Sequence, residues 1–202
     1  QNLLKVAPWA AKPVGLVATE LPSLKPEVMD KTARILQLRL ARSGSTLMKE
    51  VRVPHRKDSV ADAIKALKDE GAELVVVFGA SAVVDPEDVI PEGIRRSGGE
   101  VTQVGMPVDP GNLLVLGQLG NVPVIGAPGC ARSPKENGFD WVLDRVLCGI
   151  DIKPSDFSGM GVGGLLMEIE TRPRPRDNGS AKRQPKLDAI LLAAGSSSRM
   201  GG

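Results

Sequence analysis

ELVVVFGASAVVDPED, Glu73 to Asp88, opens on a run of apolar residues, breaks at Gly79, and continues through small residues to a pair of carboxylates. An apolar run without alternation is the pattern of a strand covered on both faces, and helices packed on each side of a sheet are what cover a strand so fully. The stretch therefore predicts a central strand whose loop emerges at its carboxyl end, the edge at which open α/β sheets collect ligands.

The sequence on either side supplies the rest of such a sheet. Upstream, VGLVA (Val14 to Ala18) reads as a first strand. Met29, Ala33, Leu36 and Leu40 recur at helical spacing, so KPEVMDKTARILQLRLARSG predicts a helix that stops at Gly44. TLMKEVRV alternates apolar and polar residues, with Lys49 interrupting the apolar face, as an edge strand does. Val60, Ile64 and Leu67 mark a second helix closed by Gly71. Downstream, a short helix is predicted from Pro91, a strand over EVTQVGM, and a hairpin of Leu113 to Leu119 and Val122 to Ile125 across Gly120-Asn121. A last helix is predicted from Ser133, with Ser133 and Glu136 as a capping box, Pro134 at its first position, and Phe139, Leu143 and Val146 as its buried stripe before Gly149. The expected fold class is α/β: three layers, αβα, around a mostly parallel mixed sheet.

Composition narrows the function classes. The chain of 202 residues is 42% hydrophobic and 25% charged, within the soluble globular range and with room for one full core. Much of its positive charge lies in TRPRPRDNGSAKRQPK, residues 171–186, which reads as a Pro/Arg-rich linker; the folded part then carries no nucleic-acid footprint. No apolar run reaches the roughly 18 residues of a membrane span and no signal-peptide pattern opens the chain, so the expected location is the cytoplasm. Cys130 and Cys148 flank a predicted helix of about 13 residues, roughly 20 Å long, too far apart for a disulfide. With His55 the only histidine, a His/Cys metal cage is excluded.

The loops expected at the carboxyl edge are FGASAVVDPED, GMPVDPGN, APGCARSP and VPHRKD. Asp85 and Asp88 place two carboxylates in one loop, which suits Mg²⁺ held together with a phosphate; equally, Asp85 caps a turn before Pro86 while Asp88 is solvated. Arg132 and Ser133 at a helix N-terminus would favour an anion, and N-capping by Ser133 does not exclude one. Cys130 stands too close to Arg132 for a loop of amides to wrap a phosphate, which argues against a catalytic thiol. His55 reads as a rim residue, and Phe139 and Trp141 as core.

These loops in this order resemble a known family. GASAVVDPEDVIPEGI is similar to the Gly-Gly-Ser/Thr loop with its following Asp in molybdopterin-binding domains, shared by molybdopterin adenylyltransferases and molybdenum-insertion proteins, and DPGN and APGC resemble that family's paired Pro-Gly loops. The likeness covers residues 14–150. LLAAGSSSRMGG resembles the opening signature of the nucleotidyltransferases of molybdenum cofactor biosynthesis, placing Gly195, Ser197, Arg199 and Gly201 on a triphosphate-binding loop. With GMPVDPGNLL, GCARSPKENGFDWVL and MGVGGLL, the whole looks like a bacterial fusion of a molybdopterin-binding domain to a cytidylyltransferase-like domain, cut just inside the latter.

The resemblance implies a lead-in over residues 1–13, the binding domain over 14–150, a closing segment over 151–170, the linker over 171–186 and the start of the transferase over 187–202. It implies molybdopterin or its nucleotide as ligand at Gly79, Ala80, Ser81, Asp85, Asp88, Pro110, Gly111, Asn112, Pro128, Gly129, Arg132 and Ser133, with Asp85 and Asp88 the candidates for Mg²⁺, and a homo-oligomeric assembly is expected. Where the family has a second glycine this chain has Ala80, Ala82 stands for Gly or Ser, and APGCARS replaces Pro-Gly-Asn-Pro. Pterin binding therefore carries over more readily than adenylyl transfer or molybdenum insertion. No core residue is assigned a catalytic role, and nucleotide transfer is expected of the longer protein. The competing expectation is a non-catalytic interaction or oligomerisation domain that keeps the fold without the site. A nicotinamide reading is disfavoured, because the folded region has no G-x-G-x-x-G between a strand and a helix.

Overall fold

The structure, a computed structural model, describes residues 6–161. Along the chain run β1 (Pro13–Glu20), α1 (Pro26–Ala41), β2 (Thr46–Pro54), α2 (Lys57–Asp69), β3 (Leu74–Phe78), α3 (Val89–Arg96), β4 (Glu100–Val104), β5 (Val115–Leu119), β6 (Val122–Ala127), a 3₁₀ turn (Gly129–Arg132), α4 (Gly138–Leu147) and α5 (Pro154–Met160). The six strands lie in the order β2-β1-β3-β6-β5-β4. The pairs β1/β2, β1/β3 and β3/β6 are parallel, while β5 runs antiparallel to both β6 and β4. The mixed sheet, its covered central strand β3 and its half-polar edge strand β2 are as the sequence patterns predict.

Alternation along the strands sorts their side chains into two cores. Leu16, Val76 and Ile125 face one way, against Leu36 and Leu40 of α1, Phe139 and Leu143 of α4, and Phe157 of α5. Val17, Val75, Val77 and Val124 face the other, against Ile64 and Leu67 of α2 and Ile90 and Ile94 of α3. Each fully buried Leu, Val or Phe contributes about 1.5–3 kcal/mol of apolar transfer, so these two layers of contact supply the main driving force. Gly44, Gly71 and Gly120 take positive φ (72°, 98° and 63°), which ends α1 and α2 and turns the β5/β6 hairpin where the sequence places those events.

Two helix starts differ from expectation. The helix α3 begins at Val89, so Pro91 sits at its third position, where a backbone N–H would still lack a helical partner. More consequential is α4, which begins at Gly138 and not at Ser133. Asn137 Oδ1 accepts the Phe139 N–H (3.1 Å) and Asp140 Oδ2 accepts the Asn137 N–H (3.0 Å), closing a capping box one turn beyond the Ser133/Glu136 pair. The intervening residues stay outside the helix, and Arg39 engages carbonyls along this stretch. Its Nη1–H donates to Ala131 O (2.8 Å), its Nη2–H to Ser133 O (2.8 Å) and Lys135 O (3.3 Å), and the guanidinium pairs with Asp140 at 2.6 Å through Nε.

The helix α5 is absent from the sequence reading. Pro154 at its first turn and the Lys153 N–H donated to Asp156 Oδ2 (2.8 Å) are the start signals, and Phe157 is its buried residue. Before β1 the Ala10 N–H donates to Leu147 O (2.9 Å) and the Lys12 N–H to Ser45 Oγ (3.0 Å). Cys130 and Cys148 are both free thiols. Among the described residues no helix is long and apolar enough to cross a membrane. The expected linker and transferase loop, residues 171–202, lie outside the described residues.

Candidate functional site

Because β2, β1, β3 and β6 are parallel and β4 runs the same way as β6, their carboxyl ends all emerge at one edge of the sheet. That edge gathers the end of β1 at Thr19, His55 after β2, the 79–88 loop after β3, the 105–114 loop after β4, and Pro128 to Ser133 after β6. Between the β3 and β6 loops lies a cleft of about 190 Å³, lined by Gly79, Ala80, Ser81, Ala82, Val83, Leu113, Ala127, Pro128, Gly129 and Arg132. Of the residues expected to bind ligand, Gly79, Ala80, Ser81, Pro128, Gly129 and Arg132 meet here.

The 79–88 loop is built by its own polar groups. A Cβ on Gly79 would come within 2.8 Å of Ser81 O and of Ile90 Cδ1, so the chain turns there only as glycine. The Ala80 N–H donates to Thr19 Oγ1 (2.7 Å), and Val83 is buried below. Asp88 Oδ2 accepts the N–H groups of Val84 (2.8 Å) and Asp85 (3.1 Å), and Asp85 Oδ1 accepts that of Glu87 (2.7 Å). Both carboxylates therefore cap turns, each through one oxygen. Among the described residues no group of three His, Cys, Asp or Glu side chains is arranged to hold a metal.

Arg132 closes the other wall. Its Nη2–H donates to Gly79 O (2.9 Å), bridging the two loops, and its guanidinium lies 5.2 Å from the centre of the Phe78 ring. Burial lowers its pKa from the ordinary value, and its buried Nε–H meets no acceptor. Gly129 is open, with no atom within 4 Å of where a Cβ would stand.

The remaining expected residues serve elsewhere on this edge. Pro110 O accepts the Gly138 N–H (2.9 Å), and Gly111, at φ 131°, packs so closely on Gly138 that a Cβ would sit 2.7 Å from its Cα. Asn112 O accepts the Met106 N–H (2.9 Å), closing the 105–114 loop. Ser133 does not stand at a helix N-terminus, because α4 starts at Gly138, so the helix end expected at Arg132 and Ser133 is not there to face an anion. Cys130 is half-buried, and burial pushes its thiol above the ordinary range, which fits an inert thiol.

Two residues at this edge escape sequence reasoning. Thr19 is fully buried and lies 2.8 Å from His55 Nδ1 through its hydroxyl. Burial holds the His55 pKa below its ordinary value, against a smaller opposing pull from Asp88. Arg39 organises the β6 loop from beneath. The signals available were a lone hydroxyl ending an apolar strand and a basic residue falling on the apolar stripe of α1. A larger groove of about 670 Å³ lies at the opposite edge, with Lys12, Glu73 and Val122 at the amino ends of β1, β3 and β6 on its wall. Another groove, of about 820 Å³, lies between Trp141 and Arg145 of α4 and Ser155, Asp156 and Gly159 of α5. Volume favours both grooves over the cleft, but the loops, the glycine turns and the half-buried Arg132 are at the carboxyl edge.

No protein-family model and no curated protein matches the chain. Among solved structures it is similar to the molybdopterin biosynthesis MoeA protein of Pyrococcus horikosii, at 23% identity and a TM-score of 0.50, over 69% of this chain and 35% of that one. It is similar also to the CinA protein of Thermoplasma acidophilum, of unknown function, at 16% identity and a TM-score of 0.54, over 68% and 98% of the two chains. A further likeness is to the molybdopterin biosynthesis enzyme MoaB of Thermus thermophilus, at 19% identity and a TM-score of 0.48, over 76% and 98%. The matched region thus spans about a third of the length of the MoeA protein. What is shared at these identities is the fold alone, and the chain has a three-layer α/β fold around a mixed sheet in common with the MoeA and CinA proteins.

Proposed function

We propose that the chain binds a phosphorylated pterin, molybdopterin or its nucleotide, in the cleft between the β3 and β6 loops. The observation that carries this reading is Arg132, a desolvated guanidinium that bridges Gly79 and the β6 loop with an unpartnered Nε–H. A buried donor without an acceptor is costly, and an anion in the cleft repays the arrangement through charge and charge-assisted hydrogen bonds. The glycine turns at Gly79 and Gly129 leave backbone open to a phosphate, with Ser81 at the mouth. Asp85 and Asp88 each retain one carboxylate oxygen beyond those closing the loop. That donor set fits Mg²⁺ held jointly with a phosphate. The fold shared with a molybdopterin biosynthesis protein supports the same ligand class.

In this reading the domain of residues 14–150 and its closing segment bind the pterin as a homo-oligomer in the cytoplasm. Residues 171–186 form the tether, and Gly195, Ser197, Arg199 and Gly201 belong to the triphosphate loop of a cytidylyltransferase-like domain that performs the transfer. The test is calorimetric titration of the chain with a pterin monophosphate, alone and with Mg²⁺. Binding is expected in the wild type and at least about tenfold weaker in Arg132→Gln, the worth of one charge-assisted hydrogen bond. One observation favours the second reading, an interaction domain without a ligand: the cleft's 190 Å³ is below the roughly 300–1,000 Å³ of small-molecule pockets, and the Ala80 and Ala82 methyls help to narrow it. Absence of heat in every titration would establish that alternative.

A further inference from the structure

We propose that Thr19 and His55 are positioning residues for the ligand loop, acting as a hydrogen-bonded strut that pins the Ala80 amide and so sets the shape of the Gly79 to Ser81 turn. The claim deepens the pterin-phosphate reading and rests on it for the ligand, but the strut itself is a matter of geometry.

Thr19 ends the buried part of β1 and is inaccessible to solvent, so its hydroxyl must find partners within the protein. It has two. The Ala80 N–H donates to Oγ1 at 2.7 Å, and Oγ1 lies 2.8 Å from His55 Nδ1. Since the amide can only donate, the single hydroxyl proton is free to go to the imidazole, and in the proposed strut it does, with His55 as the tautomer that carries its proton on Nε2. Each member thus orients the next: the imidazole directs the hydroxyl proton, the hydroxyl directs a lone pair at the amide, and the amide fixes the peptide after Gly79. The His55 backbone N–H is itself donated to Glu20 O (3.0 Å), and the ring lies beside the Gly79 turn, its Cε1 3.7 Å from where a glycine Cβ would stand.

The strut works against Arg132, which draws the Gly79 carbonyl from the opposite side at 2.9 Å. The peptide joining Gly79 to Ala80 is therefore held by its oxygen from one wall and by its nitrogen from the other. With the Ala80 N–H taken by Thr19, the loop presents to a phosphate the amides beyond it. The charged groups around His55 are Glu20 at the end of β1, Arg56, Lys57 and Asp58 at the start of α2, and Asp88 before α3, with Asp58 already paired to Arg96 at 2.7 Å.

The experiment compares conservative with disruptive variants. Thr19→Val keeps the shape and removes the hydroxyl, while Thr19→Ser keeps the hydroxyl. His55→Leu removes the acceptor, while His55→Asn places an amide oxygen near the site of Nδ1. For each, the ¹H–¹⁵N resonance and exchange rate of the Ala80 amide are recorded in the unliganded protein, and a pterin monophosphate is titrated by calorimetry. Expected are a shifted, faster-exchanging Ala80 amide and about tenfold weaker binding in Thr19→Val and His55→Leu, with Thr19→Ser and His55→Asn within about twofold of wild type, as the loss of one hydrogen bond predicts. An Ala80 resonance unchanged in Thr19→Val, or an equal loss in the conservative and disruptive variants, would overturn the strut. Should Thr19→Val fail to fold, the contrast between His55→Asn and His55→Leu decides in its place. A wild-type protein that ignores the pterin would sink the ligand reading, while the Ala80 resonance would still judge the strut.

Discussion

Replacing Arg39 by Met removes the group around which the β6 loop is folded, and the loss can be worked out from its partners. The guanidinium donates to both oxygens of Asp140, at 2.6 and 3.3 Å, and to the carbonyls of Ala131, Ser133 and Lys135. The two side chains are only 7% and 6% exposed, so Asp140 is not rehydrated without the loop opening. Breaking a buried ion pair by deleting one partner costs about 3–5 kcal/mol, because the surviving charge stays in the interior. Asp140 keeps the Asn137 N–H at 3.0 Å, and Met replaces part of the lost packing, which places Arg39→Met near the lower end of that range. For a domain of this size the melting temperature then falls by roughly 10 °C. Urea denaturation gives the free energy directly, and Arg39→Met/Asp140→Asn, which leaves no buried charge, should recover about half of the loss. Since the loop carries Arg132, anion binding should weaken in the single variant as well. A single variant within about 1 kcal/mol of wild type, or a double variant no better than the single, would refute the idea that this pair organises the site.

Gly79→Ala should cost about 1–3 kcal/mol and abolish pterin-phosphate binding, since its Cβ would stand 2.8 Å from Ser81 O; a variant that binds normally would show the turn to be unimportant. Asp88→Asn keeps an acceptor for the Val84 and Asp85 amides, so its melting temperature should match wild type while Mg²⁺-dependent nucleotide binding weakens; unchanged binding in this variant and in Asp85→Asn would remove the metal role. The fold favours neutral His55, so its contribution to stability should be complete above about pH 6.5 and be lost as pH falls towards its lower folded pKa, because the unfolded chain takes up the proton first. Urea midpoints of wild type and His55→Asn, which keeps an acceptor but cannot titrate, should agree at neutral pH and separate as pH falls, with only the wild type losing stability, and parallel curves would contradict the assignment.

The elements that were legible in the sequence are those decided by neighbours along the chain. Leu74 to Phe78 announces a covered strand, and Gly120-Asn121 announces a hairpin, because strand period and turn chemistry are local. The start of α4 is a different case. Ser133/Glu136 and Asn137/Asp140 are both credible capping pairs, and the choice falls to Asp140 because a guanidinium from residue 39 reaches it across the fold. The same distinction runs through the site. Glycine turns at Gly79, Gly111 and Gly129 declare themselves, whereas Thr19 is an ordinary strand-end hydroxyl until the fold brings Ala80 and His55 to it. The two aspartates could be read either way, and the structure uses one oxygen of each to cap the loop.

The seam between β3 and β6 bears on how the domain breathes. One side of it, β2-β1-β3, is built of strands joined through α1 and α2; the other, β4-β5-β6, is an antiparallel meander joined by the 105–114 loop and the Gly120-Asn121 turn. The two are zipped together along Val75 to Phe78 against Val124 to Ala127, a short parallel ladder whose strands are distant in sequence. Closing such a junction costs the entropy of the long chain between its strands, and we predict sub-global opening along it, since each half keeps its other ladders when it parts. The cleft sits at the carboxyl end of this ladder, with Gly79 on one half and Gly129 on the other. A phosphate lodged there acts as a suture across the seam, so ligand should slow amide exchange all along β3 and β6 and not merely in the loops it touches.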